Sequence, residues 1–209
     1  MTGKSKIRGI FFDLGGVLVE KGKYDEVIWR EATWLGVPRS RFWRVVGEEN
    51  DDLEKGKETS GQFWRRIARR FHARPLPTGT LKRFFREPFE KYAHVDRHVL
   101  AVARRLRAHR YPVGIISNTI DDHVVVMKKW KLFKYFDVVI LSDEAGCRKP
   151  ERKIFLLASR MMGILPKNLL FIDDTPYCVD GAKKCGFKTI LFKSPAQLTK
   201  RLKAFGVLG

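Results

Sequence analysis

Five short apolar runs, rich in β-branched and aromatic residues, punctuate the chain: IRGIFF (7–12), PVGIIS (112–117), FDVVIL (136–141), LLFID (169–173) and KTILF (188–192). None keeps a strict polar–apolar alternation, so each predicts a strand buried on both faces. Between them lie stretches with apolar positions at helical spacing. In 96–110, Val99, Leu100, Ala103 and Leu106 share a face; similar patterns fill 121–132, 150–163, 178–186 and 195–206. Strands alternating with helices predict an α/β fold, a doubly wound parallel sheet covered by helices on both sides.

The first strand breaks this rhythm, because no convincing strand follows it before residue 112. Helical patterns occupy 24–36, 60–72 and 80–94. The first puts Val27, Ile28, Ala32 and Leu35 on one face and ends at Gly36, a C-cap candidate. The second begins at Ser60, an N-cap candidate, and the third is expected to break near Pro88. This predicts a helical insert, 21–94, interrupting a core built from 1–20 and 95–209. It is expected over the C-terminal ends of the strands, where open α/β sheets bind ligands. Trp29, Trp34, Trp43 and Trp64 all fall in the insert and are expected to fill its small core.

The chemistry gathers at the predicted strand ends. Asp13 ends the first run, SNT (117–119) the second, RKPE (148–151) follows the third, and Asp173 and Asp174 end the fourth. A parallel sheet brings these ends together. Three carboxylates at one edge repel one another unless a lysine or a cation intervenes. Oxygen ligands of this kind suit Mg²⁺, which takes one or two carboxylates, waters and a substrate phosphate. An aspartate beside that ion can attack phosphorus and form an acyl-phosphate.

These motifs resemble the haloacid dehalogenase-like hydrolase superfamily: FFDLGGVL its first, IISNT its second, RKPE its third and FIDDTPYCVDGAKKCG its fourth. The likeness spans 7–193, and the insert resembles the family's small cap. It implies a Rossmann-like core and Mg²⁺-dependent hydrolysis of a small phosphorylated metabolite. Asp13 would be the nucleophile and also a metal ligand. Ser117, Asn118 and Lys149 would hold the phosphoryl group, with Lys149 offsetting charge around Asp13. Asp174 and the Gly15 carbonyl would bind the metal, Asp173 would support the lysine or a metal water, and Gly16 would allow the turn beneath the substrate. Two positions depart from the pattern. Gly15 stands where the family carries a proton-transferring aspartate, and Cys178 where Asn or Asp is frequent, with Asp180 a partial substitute. The DLGG form recurs in a branch acting on sugar phosphates. Two other readings stay open: a binding or scaffold protein that turns over poorly, and a dehalogenase forming an ester at Asp13.

Charge adds one question. With 42 Lys and Arg against 23 Asp and Glu the formal charge is +19. It favours anionic partners, yet it is spread evenly between insert and core, and no nucleic-acid motif accompanies it. The expectation is attraction of anionic substrates, with at most weak, non-specific nucleic-acid binding. RRIARR (65–70) is expected to be a solvated helix face. No apolar run reaches membrane length, and none resembles a secretory leader. Cys147, Cys178 and Cys185 lack metal spacing and fit free thiols in a reducing cytoplasm.

Overall fold

A computed structural model describes residues 6–20, 22, 26, 29, 33–73 and 82–208. Five parallel strands form the main sheet: β1 (Gly9–Phe12), β4 (Val113–Ser117), β5 (Val138–Leu141), β6 (Leu169–Asp173) and β7 (Lys188–Leu191), in the order β5-β4-β1-β6-β7. Successive residues of β1 serve opposite faces, which is why its sequence shows no alternation. Ile10 and Phe12 join a core cluster with helices α5 (Arg97–Ala108), α6 (Asp121–Lys129) and α10 (Pro195–Ala204). Phe11 joins a second cluster with α8 (Arg152–Met162) and α9 (Pro176–Lys184), and the one-turn helix α7 (Ser142–Ala145) follows β5 directly. All three β1 side chains are fully buried, each worth roughly 1.5–3 kcal/mol of transfer free energy. The α/β reading therefore holds.

The helices start where their sequences supply acceptors. Asp96 caps α5 by accepting from the His98 and Val99 amides, and Ser194 caps α10 by accepting from Gln197. The stretch between β2 and β3, the insert expected from sequence, contains α1 (Arg39–Glu49), α2 (Asp51–Glu54), α3 (Ser60–Arg70) and α4 (Lys82–Tyr92). Phe42, Phe63, Trp64 and Ile67 are buried there, with Phe42 stacked on Trp64 at 6.0 Å. Arg65, Arg69 and Arg70 are exposed, and Arg66 pairs with Glu49 and Glu58. That arginine-rich face is solvated, as expected.

Four local expectations need correction. The stretch after β1 is not free of strands: β2 (Val19–Glu20) pairs antiparallel with β3 (His94–Val95). Two residues per strand are too few for periodicity to register. Helix α1 has no counterpart among the predicted elements, because its apolar positions, Phe42, Val45 and Val46, are sparse among arginines. The cap of α3 is Thr59, which shares a reciprocal capping box with Gln62. Ser60 instead turns its hydroxyl to Asp121 of α6. Helix α4 runs unbroken through Pro88, which is buried, so packing outweighs the lost backbone hydrogen bond. The expected helix over 24–36 falls mostly outside the described residues. Its end is a short 3-10 turn, Thr33–Leu35, stopping at Gly36 with φ +69°.

Candidate active site

The strand order sets the site. β1 is central, with β4 on one side and β6 on the other, so Ser117, Asp13 and Asp173 stand at adjacent strand ends where the strand order reverses. The Asp13 amide donates to the Ile172 carbonyl at 2.8 Å, tying the first carboxylate to the strand that carries the other two. Oxygens of Asp13, Asp173 and Asp174 lie within 4.8 Å of one another. Lys149 is 1% exposed and reaches between two of them, 2.8 Å from Asp13 and 2.6 Å from Asp173.

One lysine for three carboxylates leaves the site over-acidic. Burial pushes the Asp13 carboxyl up to about 6, against the pull of Lys149 and with help from Asp173. Burial also works against the charge on Lys149, yet Asp13 and Asp173 hold it protonated above the ordinary lysine value. Asp13 accepts from the Leu14 amide at 2.7 Å, and Asp173 from the Thr175 amide at 2.7 Å. Asp174 is exposed and accepts from the Thr175 hydroxyl. An all-oxygen donor set with uncompensated negative charge fits a hard divalent cation.

Gly16 is required twice over. Its φ is +78°, and a Cβ there would sit 2.0 Å from Asp174 Oδ2. Any side chain would displace the carboxylate. The Asn118 carboxamide is committed to Lys149, donating to its carbonyl at 3.0 Å and accepting from its amide at 2.8 Å. It positions the lysine from behind, a task that the sequence motif does not reveal. Ser117 is buried, and its hydroxyl donates weakly to the Asn118 carbonyl at 3.3 Å. Burial pushes the Cys178 thiol up to about 12, so it lines the site as a neutral group. Asp180 does not substitute for it: its carboxylate is exposed and paired with Lys183 on the surface of α9.

Asp13, Ser117, Asn118, Lys149, Asp174 and Cys178 line a cavity of about 260 Å³ that also takes in Gly15. The insert closes part of its wall with Glu54 and Phe89, and α6 adds His123. Phe89 stacks on His123 at 4.1 Å between ring centroids. Around the rim, insert and core are joined by ion pairs. Arg148 reaches Glu54 at 3.0 Å, Lys55 reaches Glu151 at 2.6 Å, and Arg86 reaches the buried Asp122 at 2.7 Å. None of these wall residues was singled out from sequence. His123 offered the one available signal, a polar ring in the first turn of the helix after SNT.

Residues 7–186 match the family model described as haloacid dehalogenase-like hydrolase. Among curated proteins, the chain is 27% identical over 204 residues to a phosphoglycolate phosphatase of Escherichia coli (strain K12), the match covering 88% of this chain and 80% of the relative. Among solved structures it is similar to a HAD family enzyme from Bacteroides thetaiotaomicron in complex with magnesium and inorganic phosphate. That likeness has 25% identity and a TM-score of 0.70, covering 90% of this chain and 94% of the other. A HAD phosphatase from Thermococcus onnurineus shares the fold, with 22% identity, a TM-score of 0.68 and coverage of 94% and 98%.

Proposed function

This chain belongs to the haloacid dehalogenase-like hydrolases, and from that premise we propose that it is a Mg²⁺-dependent phosphatase acting on a small phosphorylated metabolite through Asp13. The observation that carries this reading is the carboxylate trio. Asp13, Asp173 and Asp174 converge with a single lysine among them, the donor set a magnesium ion and a phosphate ester require together. Asp13, Asp174 and the Gly15 carbonyl would hold the ion, with Asp173 behind. Bound there, the ion supplies charge neutralisation for carboxylates and phosphate oxygens.

The chain's own residues then divide the work. An Asp13 oxygen attacks phosphorus, the ester oxygen departs with its electron pair, and water later cleaves the aspartyl-phosphate to return Asp13 and inorganic phosphate. Lys149 and Ser117 contact the transferring group, and Asn118 holds Lys149 in place. Gly15 offers no proton to the departing oxygen. Esters whose leaving group is stable as an anion therefore suit the site best, and sugar 1-phosphates are the natural class that meets this demand. A structural helical cap over 21–94 would select among them.

The same glycine favours one competing reading, a fold that binds its ligand and turns it over poorly. The two are separated by assaying phosphate release from sugar phosphates, acyl phosphates and aryl phosphates, with Mg²⁺ and with chelator, for wild type and Asp13→Asn. Mg²⁺-dependent turnover lost in Asp13→Asn supports the phosphatase. Tight ligand binding without turnover supports the binding protein, and chelator-resistant turnover of haloacids would support a dehalogenase.

A further inference from the structure

The +19 charge finds no use at the carboxylate site, where Lys149 is the one Lys or Arg among the described lining residues and is already paired. Part of it lies at the opposite end of the sheet, where few carboxylates offset it. All five strands are parallel, so all are entered from one edge. The segments leading into them (6–8, 109–112, 131–137, 163–168 and 185–187) carry Lys6, Arg8, Arg110, Lys131, Lys134 and Lys167 against a single carboxylate, Asp137. All six cations are exposed, and Asp137 is occupied by Arg107 at 2.9 Å. From Gly9 to Asp13 is four residues, so this edge stands about 13 Å from the carboxylates.

Helix dipoles explain part of the pattern. The C-termini of α5 and α8 carry Arg105, Arg107 and Arg160, as the negative ends of helices favour. They do not explain Lys6, Arg8 or Lys167, which lie in connections ahead of strands. Arg110 and Lys131 adopt φ of +62° and +53°, positions where glycine is at ease and a side chain costs about 1 kcal/mol. Two shallow depressions of the surface lie here. One is lined by Arg104, Arg107, Lys134 and Tyr135, the other by Lys6, Arg8, Arg110 and Tyr111. In the first, Arg104 and Lys134 lie over the Tyr135 ring at 5.8 and 5.0 Å.

We propose that this strand-entry edge is a docking surface for single-stranded nucleic acid, held through its phosphates without sequence preference. Exposed cations interleaved with tyrosine rings match that ligand. A bilayer calls for protruding apolar side chains among the cations. Met161 and Leu165 are exposed near Lys167, so anionic vesicles form a separate arm of the test.

The experiment is fluorescence anisotropy with labelled oligouridylate and a mixed-sequence RNA across a salt series. Wild type should bind both with similar affinity and a steep salt slope. Each single-strand phosphate contact contributes about 0.6 log unit at roughly 0.15 M salt. Arg8→Gln/Arg110→Gly/Lys134→Gln should therefore bind roughly 50-fold more weakly, with the slope reduced by about 2. Arg44→Gln/Arg65→Gln/Arg69→Gln removes the same charge from the insert and should change affinity by less than about threefold, since screened charges act locally. If the first triple melts early, Lys6→Gln/Lys167→Gln replaces it, with a loss of about 15-fold expected. Equal losses in edge and insert variants, no wild-type binding, preference for one sequence, or binding confined to anionic vesicles would each overturn the proposal.

Discussion

Replacing Asp13 by asparagine should make the protein more stable while removing its chemistry. Holding the Asp13 carboxyl at about 6 rather than its ordinary 3.8 means that the folded state resists ionising it. That difference corresponds to about 3 kcal/mol. The sign follows from proton linkage: between those values the folded state binds the extra proton, so this contribution is present below about 3.8 and lost as pH rises through about 6. Asparagine keeps an oxygen for the Leu14 amide and for Lys149 but carries no charge. Allowing about 1 kcal/mol for the weaker neutral hydrogen bonds, the gain at pH 7.5 is about 2 kcal/mol. For a chain of this size that raises Tm by roughly 4–8 °C. Thermal unfolding with chelator present, at pH 7.5 and at pH 4, reads the effect. The gain should appear at the higher pH and shrink at the lower. An asparagine variant less stable than wild type at pH 7.5, or a difference indifferent to pH, would refute the view that these carboxylates are held together at a cost to folding.

Other expectations follow from the same geometry. Lys149→Met strands Asp13 and Asp173 in the interior and should cost about 3–5 kcal/mol in urea unfolding at neutral pH; adding Asp173→Asn should recover part of it, and no recovery would contradict the pairing. Mg²⁺ competes with the proton on Asp13, so its affinity by calorimetry should weaken as pH falls through about 6; an affinity flat from pH 7.5 to 5 would exclude Asp13 as a ligand. Gly15→Asp should accelerate simple alkyl phosphates by about 10²- to 10⁴-fold and activated esters far less. Equal wild-type rates on alkyl and aryl esters would show that another acid already serves the leaving group.

The candidate carboxylates and Ser117 were legible because they stand at or just beyond strand ends, and strands buried on both faces announce themselves as apolar runs. Phe11 and Phe12, pointing to opposite sides, are what remove the alternation and mark β1 as central. Asp13, Ser117, Asp173 and Asp174 then come together through sheet order, and Lys149 joins them from the turn after β5, held by Asn118. What local pattern could not carry was contact across long separations. Glu54 meets Arg148, and Phe89 meets His123, across dozens of intervening residues, and no periodicity links them. Thr59 and Ser60 show the same limit at short range: both are good caps, and Asp121 on a distant helix decides which one performs the task. The motif points to Asn118 as a phosphate contact and does not reveal that its side chain is engaged with the Lys149 backbone.

The most direct test of the proposed chemistry is to quench turnover with acid and weigh the peptide that contains Asp13. With Mg²⁺ and an activated phosphate ester, that peptide should gain one phosphoryl group. Gly15 leaves water attack without the carboxylate base that the family carries at that position, so the adduct should build up to a readily measured level. It should be absent with chelator and absent in Asp13→Asn. Turnover of the same ester with no phosphoryl group on Asp13, or with the group on another residue, would contradict the account.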